Sequence, residues 1–173
     1  MYFFFEGKED LFAAIVEPPL KELTEVLTQH FINDTATMST PGFLEQYSLS
    51  DDKNHEILVV SLVHHLYQNY DAFMLLLTKS QGSRFENCVD SLVDLIEKSY
   101  KEMADKMAEQ NPEYQVNEYM RHWFTHMNVD AFIHLLTHET DEQMAVRHMQ
   151  PIMDYLVKGW MEMILMPKEK SKE

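Results

Sequence analysis

Residues 84–108, RFENCVDSLVDLIEKSYKEMADKMA, form the cleanest amphipathic pattern in the chain. Apolar side chains recur at every third or fourth position, whereas Asp90, Asp94, Lys98 and Lys101 fall outside that stripe. This spacing matches the 3.6-residue turn of an α-helix that buries one face against a core. We therefore predict a helix over Arg84–Ala108 whose stripe comprises Phe85, Cys88, Val89, Leu92, Ile96, Tyr100, Met103 and Met107.

The same periodicity extends along most of the chain in both directions from this stretch. Proline removes a backbone donor and clashes with the preceding turn, so we expect Pro18-Pro19 to stop or bend the first helix. The polar stretch Asn33–Asp52 is the clearest predicted loop, which a short turn at Phe43–Tyr47 could interrupt. No strand pattern is found, and the sequence predicts an all-α fold of about six to seven helices. The further helices are Lys8–Val16, Leu20–Phe31, His55–Tyr67, Asp71–Lys79, Val116–His138 and Asp141–Met166.

Three details of these helices are specific enough to test. The helix His55–Tyr67 is apolar almost all round, which predicts burial on most sides. Asp141, or Thr140 before it, is the predicted N-cap of the last helix. Pro151 lies inside that helix, and we expect a kink there unless it opens a new segment.

The overall composition is that of a globular protein in a reducing compartment. Among 173 residues there are 4 Gly and 6 Pro, a scarcity that favours long helices over many tight turns. A single cysteine, Cys88, allows no intrachain disulfide. The first residues lack a basic region and a long apolar region, and no stretch approaches the roughly 18 apolar residues of a membrane span. We expect a cytoplasmic protein with no membrane contact.

The formal net charge of −15 is unfavourable for contact with nucleic acid. Phosphate recognition needs a basic face, so any DNA-binding surface must be small and local or lie on other chain. Catalytic signatures are equally scarce, because there is no G-x-S-x-G, no Gly-rich phosphate loop and no H-E-x-x-H. No Glu has a His three residues later, which a di-iron carboxylate bundle would require. We expect neither an enzyme nor a cofactor.

One histidine-rich helix could suggest a metal site. His122, His126, Asp130, His134 and His138 follow one another in steps of four, and two histidines at that spacing can share a metal ion. However, each step turns about 40° around the helix, so the five groups cannot converge on one ion. We predict no metal site, and a hydrogen bond from one histidine to a ligand stays open.

The opening residues 1–15, MYFFFEGKEDLFAAI, carry a family pattern. They resemble the junction in TetR-type regulators where a DNA-recognition helix runs into apolar-Tyr-x-aromatic-Phe-x-x-Lys-acidic-acidic-Leu. Weaker resemblances lie at residues 73–92, FMLLLTKSQGSRFENCVDSL, and at residues 149–164, MQPIMDYLVKGWMEMI. Eight residues fill the first pattern without a gap, namely Met1, Tyr2, Phe4, Phe5, Lys8, Glu9, Asp10 and Leu11.

The resemblance implies a division of the chain and a role for its first residues. Residues 1–7 would be the remnant of the DNA-recognition helix and its connection, residues 8–166 the ligand-binding and dimerisation domain, and residues 167–173 a solvated tail. Tyr2 and Lys8 would contact DNA phosphates. The two preceding helices of the family's DNA-binding head are not in this sequence, so operator DNA would be bound only through that head.

A pocket for an apolar or amphipathic effector is the second implication. Methionine adapts to varied apolar ligands, and the helix around Trp123 is rich in large side chains that could face the stripe around Tyr100. Any one of these side chains taken singly is also typical of an ordinary core. The predicted pocket comprises Tyr67, Phe73, Leu77, Tyr100, Met103, Met107, Tyr119, Met120, Trp123 and Met127.

A homodimer through a four-helix bundle is the third implication. The last predicted helix has a wide apolar stripe that needs more cover than one neighbouring helix supplies, which favours twofold packing. The predicted interface comprises Phe132, Leu136, Met149, Ile152, Met153, Leu156 and Trp160. The chain would then be the effector-binding and dimerisation part of a ligand-relieved repressor. The alternative is an all-α dimeric interaction module without a DNA-binding head.

Overall fold

A computed structural model describes residues 5–46 and 53–168, and within these ranges the fold is all-α, as predicted. Six long helices and one single-turn helix account for nearly all of it, together with two three-residue strands. In chain order the elements are α1 Lys8–Met38, α2 Phe43–Gln46, α3 Lys53–Gln68, α4 Tyr70–Lys79, α5 Cys88–Gln110, β1 Tyr114–Val116, α6 Glu118–His138, α7 Glu142–Met163 and β2 Leu165–Pro167.

The first helix is longer than the sequence predicts, because α1 runs through Pro18-Pro19 without stopping. The carbonyls that lose their proline donors belong to Ala14 and Ile15, which are exposed, so water can hydrate them. The expected loop from Asn33 is wrong up to Met38, where α1 ends. The short turn appears as α2, and its expected last residue, Tyr47, lies outside the described residues.

The expectation that α3 is buried on most sides is wrong. Val59, Leu62, Val63 and Leu66 are buried, but Ile57 is 61% exposed and Val60 is 38% exposed. The helix packs against α1, α4 and α7. Because nearly every residue in the middle of α3 is apolar, the sequence does not indicate which side of the helix lacks a neighbouring helix.

The turn before α5 replaces the first turn of the predicted helix. Residues 80–87 form turns, with Gly82 in the left-handed region at a φ of 78°, and the helix begins at Cys88 instead of Arg84. Arg84 reaches back to α1, where its Nη2 lies 2.6 Å from Glu17 Oε2.

A two-stranded antiparallel sheet, which the sequence analysis did not predict, joins the start of α6 to the end of α7. Tyr114 pairs with Pro167 and Val116 with Leu165. The predicted helix start at Val116 and helix end at Met166 are therefore wrong. Pro167 and Lys168, the described residues of the predicted solvated tail, are exposed. Lys168 Nζ also donates to the Pro112 carbonyl over 2.6 Å.

The opposite end of the α6–α7 hairpin is a three-residue connection. Asp141 is the N-cap of α7, as predicted, and its Oδ1 accepts from the Met144 amide over 2.8 Å. The Tyr67 hydroxyl donates to the Glu139 carbonyl, which fixes α3 to this connection. Pro151 opens no new segment, because α7 is continuous through it.

Candidate ligand cavity

Six helices line an apolar cavity of about 160 Å³. A cavity of about 150 Å³ walled by aliphatic and aromatic side chains accepts a benzene-sized molecule. The lining residues come from α1, α3, α4, α5, α6 and α7. They are Leu20, Leu23, Leu27, His30, Phe31, Asp34, Met38, Leu58, Leu62, Leu66, Phe73, Leu76, Leu77, Cys88, Val89, Leu92, Ile96, Tyr100, Met103, Asn128, Val129, Phe132, Ile133, Leu136, Met153, Leu156, Val157 and Trp160.

Helix α1 contributes one complete wall because it does not stop at the prolines. Its lining residues recur every three or four positions from Leu20 to Met38, the spacing of one helix face. A helix that ended near Phe31 would have left this side of the cavity open at Asp34 and Met38. The length of α1 therefore determines that the cavity has a wall here.

Aromatic rings form one part of the wall. The Tyr100 ring meets Phe31 edge-on, with ring centroids 5.5 Å apart and planes at 85°. On its other side Tyr100 lies against Trp160, with centroids also 5.5 Å apart. These contacts bring α1, α5 and α7 together around a single tyrosine.

Two polar groups, the Trp160 indole N–H and the Tyr100 hydroxyl, lie in this aromatic region. Trp160 is only 4% exposed, and its buried Nε1 has no hydrogen-bond partner among the described residues. Burial raises the pKa of Tyr100 well above its ordinary value, and the Asp34 carboxylate raises it further. The phenol therefore stays protonated and can donate a hydrogen bond.

The remaining polar lining is paired within its own helices. His30 Nε2 lies 3.0 Å from Asp34 Oδ2, one turn along α1. Asn128 Nδ2 donates to the Phe124 carbonyl over 2.8 Å within α6. Burial raises the pKa of the Cys88 thiol, which favours its neutral form at the cavity wall.

The predicted pocket residues divide between the cavity and other places. Phe73, Leu77, Tyr100 and Met103 line it. Met107 is fully buried in the core, and Tyr67 is tied to the α6–α7 connection. Of the four predicted α6 residues none lines the cavity: Met120 packs against the core, and Tyr119, Trp123 and Met127 are 74%, 37% and 36% exposed. These three lie at steps of four on the outer face of α6.

Most of the residues predicted to form the dimer interface instead face the interior of the subunit. Phe132, Leu136, Met153, Leu156 and Trp160 line the cavity, and Met149 is fully buried. Only Ile152, which is 40% exposed, is available on the surface to a partner. The wide apolar stripe of α7 is covered within the chain by α3 and α6.

The other sequence-based expectations concern DNA and metal. Tyr2 lies outside the described residues; Lys8 is exposed at the first position of α1, and its phosphate contact stays a prediction. The His122 and His126 rings lie 4.6 Å apart, and those of His134 and His138 lie 4.1 Å apart. Within ranges 5–46 and 53–168, no three potential ligands come together to hold a metal ion.

In the same ranges no helix combines the length and the hydropathy needed to cross a membrane. The chain matches no protein-family model, no curated protein and no solved structure. The resemblance to TetR-type regulators therefore stays a prediction from residues 1–15 and the two weaker stretches.

Proposed function

We propose that this chain is the effector-binding and dimerisation part of a TetR-type regulator, and that a small apolar molecule binds in the cavity. The observation that carries the proposal is the cavity itself, walled almost entirely by apolar side chains from six helices. Transfer of an apolar molecule from water into such a space is favourable, and a few polar groups fix its orientation.

The arrangement of α1 supplies a route from the cavity to the proposed DNA-binding head. The lining begins at Leu20, and α1 is continuous from there back to Lys8, about 18 Å at 1.5 Å per residue. An occupant that changes how α1 packs on α5 would shift the Lys8 end, because the helix is continuous between the two. Ligand would then favour one spacing of the two heads by its differential affinity for the two arrangements.

The proposed dimer uses the outer faces of α6 and α7. Tyr119, Trp123 and Met127 on α6 and Ile152 and Tyr155 on α7 are exposed apolar residues on adjacent helices. A second copy of the hairpin would cover them as a four-helix bundle. Light scattering during gel filtration should give twice 20.5 kDa for the wild type and a monomer for Trp123→Asp. A wild-type monomer at high concentration would contradict this part.

Ligand binding is tested by filling the cavity. Val157 lines it on α7, whereas Val26 on α1 is 38% exposed and does not. Toluene should raise the Tm of the wild type and of Val26→Phe, because a ligand that binds only the folded state stabilises it. The Tm of Val157→Phe should not change. An equal rise in both variants would place toluene outside the cavity.

The alternative is a dimeric interaction module without a DNA-binding head. It would differ from a regulator in the mass of the whole protein. The intact mass of the protein purified from its native cells separates the two. A mass above 20.5 kDa by a small helical headpiece would support the regulator. A mass equal to that of this chain would favour the interaction module.

A further inference from the structure

The indole N–H of Trp160 is a buried hydrogen-bond donor that has no acceptor in ranges 5–46 and 53–168. Nε1 has no acceptor among the described residues, and the side chain is 4% exposed. Tryptophan can only donate at this atom, and a buried donor without a partner loses the hydrogen bond that it made to water. By contrast, the hydroxyls of Tyr67 and Tyr70 donate to backbone carbonyls over 2.8 and 3.0 Å.

Tyr100 provides a second donor beside the first. Its ring lies against Trp160 at a centroid distance of 5.5 Å, and both side chains line the cavity. Because the phenol stays protonated, it donates at every pH near neutrality. A single ligand that fills the cavity therefore contacts both side chains.

Charge restricts which acceptor can lie there. The Asp34 carboxylate lines the same cavity and is near enough to Tyr100 to raise the pKa of its phenol. An anionic ligand would meet this carboxylate as well as a net charge of −15. A cation offers no lone pair to the Trp160 N–H. A neutral oxygen satisfies both conditions.

We propose that the effector is a small, neutral, largely apolar molecule with an accepting oxygen, such as an aryl ketone or ester, held by Trp160 and Tyr100. This inference rests on the proposed ligand cavity and adds its chemical selectivity. The apolar wall binds the body of the molecule, and the two donors at the aromatic region bind the oxygen. The oxygen also supplies the acceptor that the Trp160 N–H lacks within the described part of the chain.

Acetophenone and cumene test the proposal, because they have similar shapes and only acetophenone has an accepting oxygen. Their Kd values are measured by calorimetry for the wild type, Trp160→Phe and Tyr100→Phe, with Trp123→Phe on the exposed face of α6 as the control. Loss of one donor should weaken acetophenone binding about three- to tenfold. Cumene binding should change less than twofold in the same variants, and Trp123→Phe should leave both Kd values unchanged.

The outcomes distinguish a failure of the proposed selectivity from a failure of the proposed ligand cavity. If both probes bind and neither donor variant weakens acetophenone relative to cumene, the selectivity is refuted while the ligand cavity stands. If neither probe binds to the wild type, the ligand cavity is refuted and the selectivity with it. If Trp160→Phe fails to fold, Tyr100→Phe decides the question, because its donor belongs to the same pair.

Discussion

The two tryptophans of the chain lie in sequence patterns of the same kind and in opposite environments. Trp123 follows Tyr119 by four residues and precedes Met127 by four, yet it is 37% exposed on the outer face of α6. Trp160 follows Met153 and Leu156 at helical spacing and is buried at the cavity. Large side chains at helical spacing therefore predict a helix face, but the neighbouring helices decide whether that face is inside.

The largest expected difference is in the cost of removing each tryptophan. Trp160→Ala should lower the free energy of unfolding by about 3–5 kcal/mol, because it empties a buried site. Trp123→Ala should cost the isolated subunit about 1 kcal/mol or less. Urea unfolding measures both, and any greater loss in Trp123→Ala should depend on protein concentration if a second copy covers this face. Equal, concentration-independent losses would contradict the comparison.

Two methionines that the sequence analysis placed in one pocket extend the comparison. Met103 is 2% exposed and lines the cavity, whereas Met127 is 36% exposed. Met103→Ala should cost about 2–4 kcal/mol in urea unfolding, and Met127→Ala should cost about 0.5 kcal/mol. Similar losses in the two variants would mean that the outer face of α6 is as buried as the cavity wall.

The contact of Gly159 with Phe124 tests how closely α7 packs on α6. A Cβ at Gly159 would lie 3.0 Å from Phe124 Cζ, and Phe124 is buried, so its ring has little room to shift. Gly159→Val should cost about 1–3 kcal/mol by overpacking, and Lys158→Val, one residue earlier and exposed, about 0.5 kcal/mol. A double variant with Phe124→Leu should recover part of the loss, and simple additivity would argue against the contact.

The smallest effect is expected at Tyr67, which the sequence analysis placed in the pocket and the structure places outside it. Burial, and then the Glu139 carboxylate, raise the pKa of Tyr67 to about 12. The folded protein keeps this proton above pH 10 while the unfolded chain loses it, so stability should fall from pH 10 towards pH 12. Tyr67→Phe should make this fall shallower in urea titrations and leave toluene binding unchanged. Loss of binding would place Tyr67 at the cavity after all.

Helix periodicity predicted most of the fold, because an amphipathic stripe depends on residues close together in sequence. It failed at Pro18-Pro19, because Ala14 and Ile15, whose carbonyls lose their donors, are exposed residues, and only the tertiary arrangement shows this exposure. The spacing of Leu23, Leu27, Phe31 and Thr35, all buried, was the available signal that α1 continues. Strand β1 has three residues, too few for an alternating pattern.

The sequence predicted an apolar pocket, but it predicted only some of the residues that line the cavity. Tyr100 and Met103 were found because their stripe is clear, and α5 has neighbours on that side only. Asp34 was missed because the polar residues from Asn33 onward indicated a loop. His30 lies in the predicted helix Leu20–Phe31, but as a polar residue it stood outside the apolar stripe of that helix. The inward residues of α6 and α7 were assigned to a partner subunit, since a single sequence does not show that α3 covers this side of α7.

The small sheet changes the mechanical behaviour of the α6–α7 hairpin. Two helices joined only by their connection can separate at the opposite end of the hairpin. Here that end is also held together, by the pairing of β1 with β2 and by the Asn117 amide, which donates to the Ile164 carbonyl over 2.7 Å. The closed loop resists separation of the two helices, and residues 114–117, 164–166 and 168 should retain their amide protons as long as the adjoining helix turns do. Helix α1 is held instead through side chains, from His65 to the Pro19 carbonyl and from Arg84 to Glu17, so deformation of the molecule under load would concentrate there.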